Sequence, residues 1–216
     1  MKRMLAVLML LLLAAACGTG TAEETVPQPG LFDLYSAEGE DPVWLGTAVP
    51  LFDGVLITSA AVLPEDLSRL VISDGWNVWD AEAAARDREG LGAVILVDTD
   101  MLKPATGVFE LEEDAVRPAD CFVLTGDQNS SRVYREVYAG AEMDLRTYPC
   151  RLLSISGPVG PGSPLITESG RLAGIAVGEW AEGTDRVLFL TAEGIYQSMS
   201  EALGKLTGAE TGFRTY

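Results

Sequence analysis

The chain contains no histidine. That removes the imidazole that most often serves as a general base near neutral pH, and with it the nitrogen ligand that zinc sites commonly use. Lysine is almost as scarce, occurring only at Lys2, Lys103 and Lys205, so a serine–lysine pair has few ways to be assembled. The three cysteines, Cys17, Cys121 and Cys150, are too few for a closed four-thiolate metal centre. No glycine-rich loop ends in Lys-Ser or Lys-Thr, which excludes the usual phosphate cradle. Asp98 and Asp100 are spaced like the start of a calcium loop, but Met101-Leu102-Lys103 supplies neither the next oxygen ligands nor the required glycine. The sequence therefore implies no metal and no cofactor. It also lacks an apolar run of the roughly 20 residues that a membrane-crossing helix needs.

What it does have at the start is a shorter apolar segment, Met4 to Ala16, preceded by Lys2-Arg3 and closed by Ala14-Ala15-Ala16-Cys17. A basic start, a short apolar stretch and small residues at its end have the anatomy of a secretory signal over residues 1–16. A cysteine directly after small residues resembles a bacterial lipobox, with Leu13 one position further from the cysteine than in the commonest pattern. The resemblance implies acylation of Cys17 and an extracytoplasmic, membrane-anchored protein; a plain secretory signal that abuts a cysteine is the alternative. Thr19 to Gly30 is polar and broken by Pro27 and Pro29, so residues 17–30 read as the lipidated cysteine and a flexible tether. A coil of that length spans roughly 20 Å r.m.s..

Cleavage before Cys17 would remove Lys2 and Arg3 and no acidic residue, taking the net charge from −17 to about −19. Such a charge repels phosphate backbones and gains nothing from counterion release, so nucleic acid is not expected as a partner. It also repels anionic lipid headgroups, which would hold the domain off the membrane surface. With Cys17 acylated, Cys121 and Cys150 remain as an even pair in an oxidising compartment, which points to a disulfide. Two separately buried thiols are the alternative.

From Leu31 onward short apolar runs alternate with turn signals. Asp53-Gly54, Asp74-Gly75 and Glu168-Ser169-Gly170 each lie between β-favouring runs, predicting three hairpins. Further strands are expected at Ala93–Val97, Val108–Leu111, Cys121–Leu124, Arg132–Tyr138, Arg151–Ile155 and Arg186–Leu190. Ala81–Arg88 fits either a short helical turn or a strand. One helix is predicted, Ala192–Leu206, where Ile195, Met199, Leu203 and Leu206 recur at spacings of three and four. The acidic stretch Glu112–Ala119, containing Pro118, reads as a seam between residues 31–115 and 116–216. Trp44, Trp76 and Trp79 fall in expected strands and read as packing residues. Asp87-Arg88-Glu89 reads as a solvated charged loop.

The order of these motifs resembles the trypsin-like serine peptidases. Leu45-Gly46-Thr47-Ala48-Val49, the hairpin, and Leu56-Ile57-Thr58-Ser59-Ala60-Ala61-Val62-Leu63 are similar to that family's first strands and its Thr-Ala-Ala-His stretch. Leu91-Gly92-Ala93-Val94-Ile95 is similar to its Asp-Leu-Ala-Val-Leu strand, and Cys121-Phe122-Val123-Leu124-Thr125-Gly126 to the opening of its second barrel. Gly160-Pro161-Gly162-Ser163-Pro164-Leu165 resembles its nucleophile loop. The resemblance implies an all-β fold of two six-stranded antiparallel barrels followed by a C-terminal helix. It also places the family's histidine, aspartate and serine at Ala61, Leu91 and Pro161, none of which can act as base, orienting group or nucleophile. Pro161 further lacks the N–H that would help form an oxyanion hole, a loss of roughly 2.7–4 kcal/mol of transition-state stabilisation.

These residues imply a catalytically degenerate member that binds a peptide or protein without hydrolysing it. Ser163, Gly178, Glu179 and Trp180 are the candidate cleft residues, because the segment 178–180 follows the strand that borders the family's substrate cleft. A structural or assembly lipoprotein of all-β fold is the second reading. A peptidase with a rearranged site would require a lysine or carboxylate beside Ser163.

Overall fold

The computed structural model describes residues 30–37, 42–98, 108–112, 116–126, 132–143, 148–179 and 185–208. Cys17, Asp100, Lys103 and Trp180 lie outside them, as does the region expected to form the signal and most of the tether. Seven strands form the first sheet: β1 (Phe32–Ser36), β2 (Val43–Phe52), β3 (Val55–Ser59), β4 (Leu70–Ser73), β5 (Val78–Asp80), β6 (Ala83–Arg86) and β7 (Gly92–Leu96). Their order is β5-β4-β1-β2-β3-β7-β6. Because β5 leads through Ala81 and Glu82 straight into β6, the chain itself crosses between the two ends of this sheet. Six strands close a second barrel: β8 (Cys121–Gly126), β9 (Arg132–Met143), β10 (Cys150–Ile155), β11 (Pro164–Thr167), β12 (Leu172–Glu179) and β13 (Arg186–Thr191). Named strands pair antiparallel throughout. The expected double-barrel architecture is present, with the first unit an open seven-stranded wrap.

The period-two alternation of side chains explains why several strands read as continuous apolar runs. In β3, Leu56 faces the core of the first sheet, beside Phe32, Leu34, Ile72 and Ile95, while Ile57 faces the opposite way. In β7, Ala93 and Ile95 point inward and Val94 outward, and in β8 Val123 fills the closed barrel while Leu124 leaves it. The outward set joins Val49, Ile175 and Leu190 in a third buried cluster between the two units. Strands buried on both faces lose the polar alternation of a half-exposed strand.

Helix α1 (Ala192–Thr207) completes that shared core with Ile195, Met199 and Ala202. Thr191 caps its first turn by accepting from Gly194 N–H at 3.2 Å, and Gly208 ends it at φ 67°. The connecting residues Val108–Leu111, expected as a strand, instead stitch the units together. Phe109 N–H donates to Pro50, Glu112 N–H donates to Leu172, and Leu111 makes a single parallel bridge to Leu172. Ala81–Arg88 resolves in favour of strand, as β6.

Of the two tryptophans around the second hairpin, one differs from expectation. Trp79 does pack, edge-on to Phe32 at 5.6 Å. Trp76 is 92% exposed, because the second hairpin turns over four residues, Asp74 to Asn77, and the strand resumes only at Val78.

Candidate functional site

Ser59 ends β3, and its hydroxyl accepts from Ala61 N–H at 3.3 Å, capping a single 3-10 turn at Ala60–Val62. The same hydroxyl donates to the Val177 carbonyl of β12 at 3.3 Å, tying the turn to the second barrel. Ala60 and Val62 are buried and Ala61 is exposed. Leu91 approaches from β7, its carbonyl accepting from Ala60 N–H at 2.8 Å, while its side chain packs against the core between the units.

Pro161 reaches the same junction from the second barrel. Its carbonyl accepts from Thr47 N–H at 2.9 Å, and a Cβ placed on Gly46 would lie 2.6 Å from that oxygen and 2.7 Å from Val62. Only glycine allows so close an approach. Ala61, Leu91 and Pro161 therefore sit on three segments that meet where the units join. Beside Ala61 a cavity of about 500 Å³ is lined by Ser36, Leu45, Ala61 to Asp66 and Arg69.

The loop carrying Pro161 has its amides committed internally. Gly160 N–H donates to Thr125 Oγ1 at 3.1 Å, Gly162 N–H to Ala176 at 2.8 Å and Ser163 N–H to Gly160 at 3.2 Å; Pro161 has no N–H. Gly162 holds φ +79°, and a Cβ there would fall 1.9 Å from the Thr47 carbonyl. Trp44 lies on this loop rather than in either barrel core: a Cβ on Gly160 would come within 2.4 Å of its ring. Its indole N–H donates to Asp33 at 3.2 Å.

Ser163 is not a cleft residue. Its side chain is fully buried, and its hydroxyl donates to Thr125 Oγ1 at 3.0 Å. The described lysine, Lys205, donates to the Arg86 carbonyl at 2.9 Å, and no lysine or carboxylate among the described residues bonds the Ser163 hydroxyl. Gly178 does border open space, since a Cβ there would meet nothing within 4 Å. Pairing between β11 and β12 ends at Ile175, whereas β12 stays paired to β13 through Glu179. One edge of β12 thus has no partner strand at Gly178–Glu179 among the described residues.

Two polar clusters beside this junction had no local signal in the sequence. Asp33 on β1 is wholly buried and receives both ends of the Arg132 guanidinium, at 3.0 and 2.9 Å, in addition to the Trp44 indole. Arg132 lies on β9 and also donates to the Leu31 carbonyl, so the pair joins the two units. Asp87, expected in a solvated loop, is 4% exposed. Its carboxylate accepts from Leu91 N–H at 3.1 Å, Gly92 N–H at 2.7 Å and the Ser198 hydroxyl of α1 at 2.6 Å. Tyr148 donates nearby to Glu201. Burial pushes its hydroxyl above the usual tyrosine range, and the Glu201 carboxylate and the Asp87 charge push the same way.

The expected bridge between Cys121 and Cys150 is not formed. Strand β9 lies between them, and Phe122, next to Cys121, faces Glu136 on β9 whereas Cys150 faces Met143. Seven residues along a strand is roughly 20 Å, far beyond the roughly 7 Å limit on Cα separation for a disulfide. Both thiols are buried, Cys121 directed at the Arg117 carbonyl and Cys150 at that of Tyr148. Burial raises the Cys121 thiol to about 11.

Two barrels meeting at this junction define the trypsin-like serine protease fold. Among solved structures, the chain superposes on a serine-to-alanine mutant of Rv3671c from M. tuberculosis in its inactive form. The TM-score is 0.66 at 17% identity, over 87% of this chain and 91% of that one. It is similar also to the HtrA-type protease AlgW with a decapeptide, with TM-score 0.64 and 15% identity, over 84% of this chain and 66% of that one. Kallikrein-related peptidase 10 aligns with TM-score 0.58 and 15% identity, over 85% and 97%. No family model and no curated sequence matches the chain.

Proposed function

We propose that this protein is an extracytoplasmic, lipid-anchored module of trypsin-like fold that binds an extended peptide or protein segment between its barrels and does not hydrolyse it. The observation that carries this reading is the edge of β12 at Gly178, open and without a partner strand among the described residues, at a junction where Ala61, Leu91 and Pro161 offer no base, no orienting carboxylate and no nucleophile. An exposed edge can take a further strand through main-chain hydrogen bonds, which need no catalytic group. The similar AlgW structure is that of a protease with a decapeptide. Cys17 supplies the anchor in this reading.

The test is a screen of random peptides against the protein, followed by titration of any that bind. Gly178→Trp should abolish binding while leaving the fold intact, because the added side chain projects into open space, and no bound peptide should be cleaved. Peptides that bind the variant equally would place the site elsewhere. Cleavage would overturn the non-catalytic half of the proposal.

A second reading, a structural or assembly lipoprotein, draws support from Trp44 lying across Gly160 and from the committed amides of the 160–163 loop. It predicts that no peptide binds at Gly178 at all.

A further inference from the structure

Trp76 is 92% exposed, and it is not on a loosely held segment. The Asp74 carboxylate accepts from Trp76 N–H at 2.8 Å, Asn77 N–H at 2.7 Å and the Asn77 side-chain amide at 3.1 Å, while Gly75 N–H donates to the Ser73 hydroxyl at 3.0 Å. The turn is pinned by its own polar groups, and the indole is held outward. Val78, two residues on, is 65% exposed.

Strand pairing shows what lies beside this turn. β1 runs antiparallel to both β2 and β4, and Asp33, near its start, faces Ser73 at the end of β4. The start of β1 and the β4–β5 turn are therefore neighbours. Gly30, two residues before β1, leaves there, and thirteen residues, Gly18 to Gly30, separate Cys17 from Leu31. Their full reach is at most about 45 Å.

We infer that the Trp76 turn, assisted by Val78, docks into the headgroup region of a zwitterionic bilayer. This rests on anchoring through Cys17. Tryptophan favours the membrane–water interface, where its ring is apolar and its N–H stays wet. The chain's net charge of −17 disfavours anionic lipid and selects a neutral surface. A short connection raises the effective concentration of the turn at the bilayer to about a millimolar, so a contact too weak to hold a free protein suffices for a tethered one.

The experiment uses full-chain protein reconstituted in phosphatidylcholine vesicles, with bromine-labelled lipid as a quencher of tryptophan emission. Acylation of Cys17 is read separately, from the mass of its peptide. Where it is absent, the thiol of Cys17 is coupled to a maleimide lipid, so the docking measurement proceeds whichever way the anchor reading falls. The expected result is quenching of the wild type, strongest with bromines near the headgroups, and loss of most of that quenching in Trp76→Ala. The substitution keeps the backbone N–H that Asp74 binds. Unquenched wild-type emission overturns the inference, as does equal quenching in the two proteins. Shielding of Trp76 only when a second protein is added would also overturn it, in favour of a protein partner.

Discussion

Asp33 shows what a single buried charge asks of its surroundings. A carboxylate removed from water is tolerated only when it is paired and hydrogen-bonded. Here Arg132 supplies two N–H groups and Trp44 a third. Because the arginine comes from the second barrel, this pair couples packing between the units to the position of Trp44 on Gly160. Truncating Arg132→Ala strands the carboxylate, and the loss should be on the order of 3 kcal/mol, read as a lower urea midpoint. Removing both charges in Asp33→Leu with Arg132→Met should cost far less, because no orphaned ion remains. If the single variant unfolds at the wild-type midpoint, Asp33 is not the constraint described.

At the scale of elements, the segment 157–163 is shaped by what it must avoid. Gly162 takes a positive φ where the Thr47 carbonyl leaves no room for a Cβ, so Gly162→Ala combines backbone strain with a steric conflict. A cost of at least about 2 kcal/mol follows, together with weaker binding of any peptide that uses the neighbouring β12 edge. Gly178→Ala, on an unstrained and open position, should be close to neutral. The contrast between the two glycines, measured by thermal unfolding, tests whether close approach or mere backbone freedom decides each one. Helix α1 is secured differently, through the Ser198 hydroxyl on Asp87 and an apolar face shared with both units.

At the scale of the whole molecule, two buried acids report global unfolding. Cys121 lies inside the closed barrel and Tyr148 in the core between the units. Both hold their protons more tightly in the folded state, chiefly because burial disfavours the charged form. The stability they contribute is complete below the ordinary thiol and phenol values. It is lost as pH rises, from about 9 to 11 for Cys121, and above about 10 for Tyr148. Urea midpoints should fall between pH 8 and 11, and Cys121→Ala should flatten the earlier part of that fall. A flat profile in the wild type would contradict the burial of both groups.

The sequence by itself determined the strand runs, the Asp53-Gly54 and Ser169-Gly170 turns, the terminal helix and the residues standing at Ala61, Leu91 and Pro161, because alternation, turn chemistry and helical spacing are local. Only the tertiary structure decided that Asp33 meets Arg132 ninety-nine residues away, that Asp87 is buried, that Ser163 turns inward and that β9 keeps Cys121 from Cys150. Each of these depends on which strands become neighbours, and strand neighbours are chosen by burial of both faces across the whole chain rather than by any short run of residues.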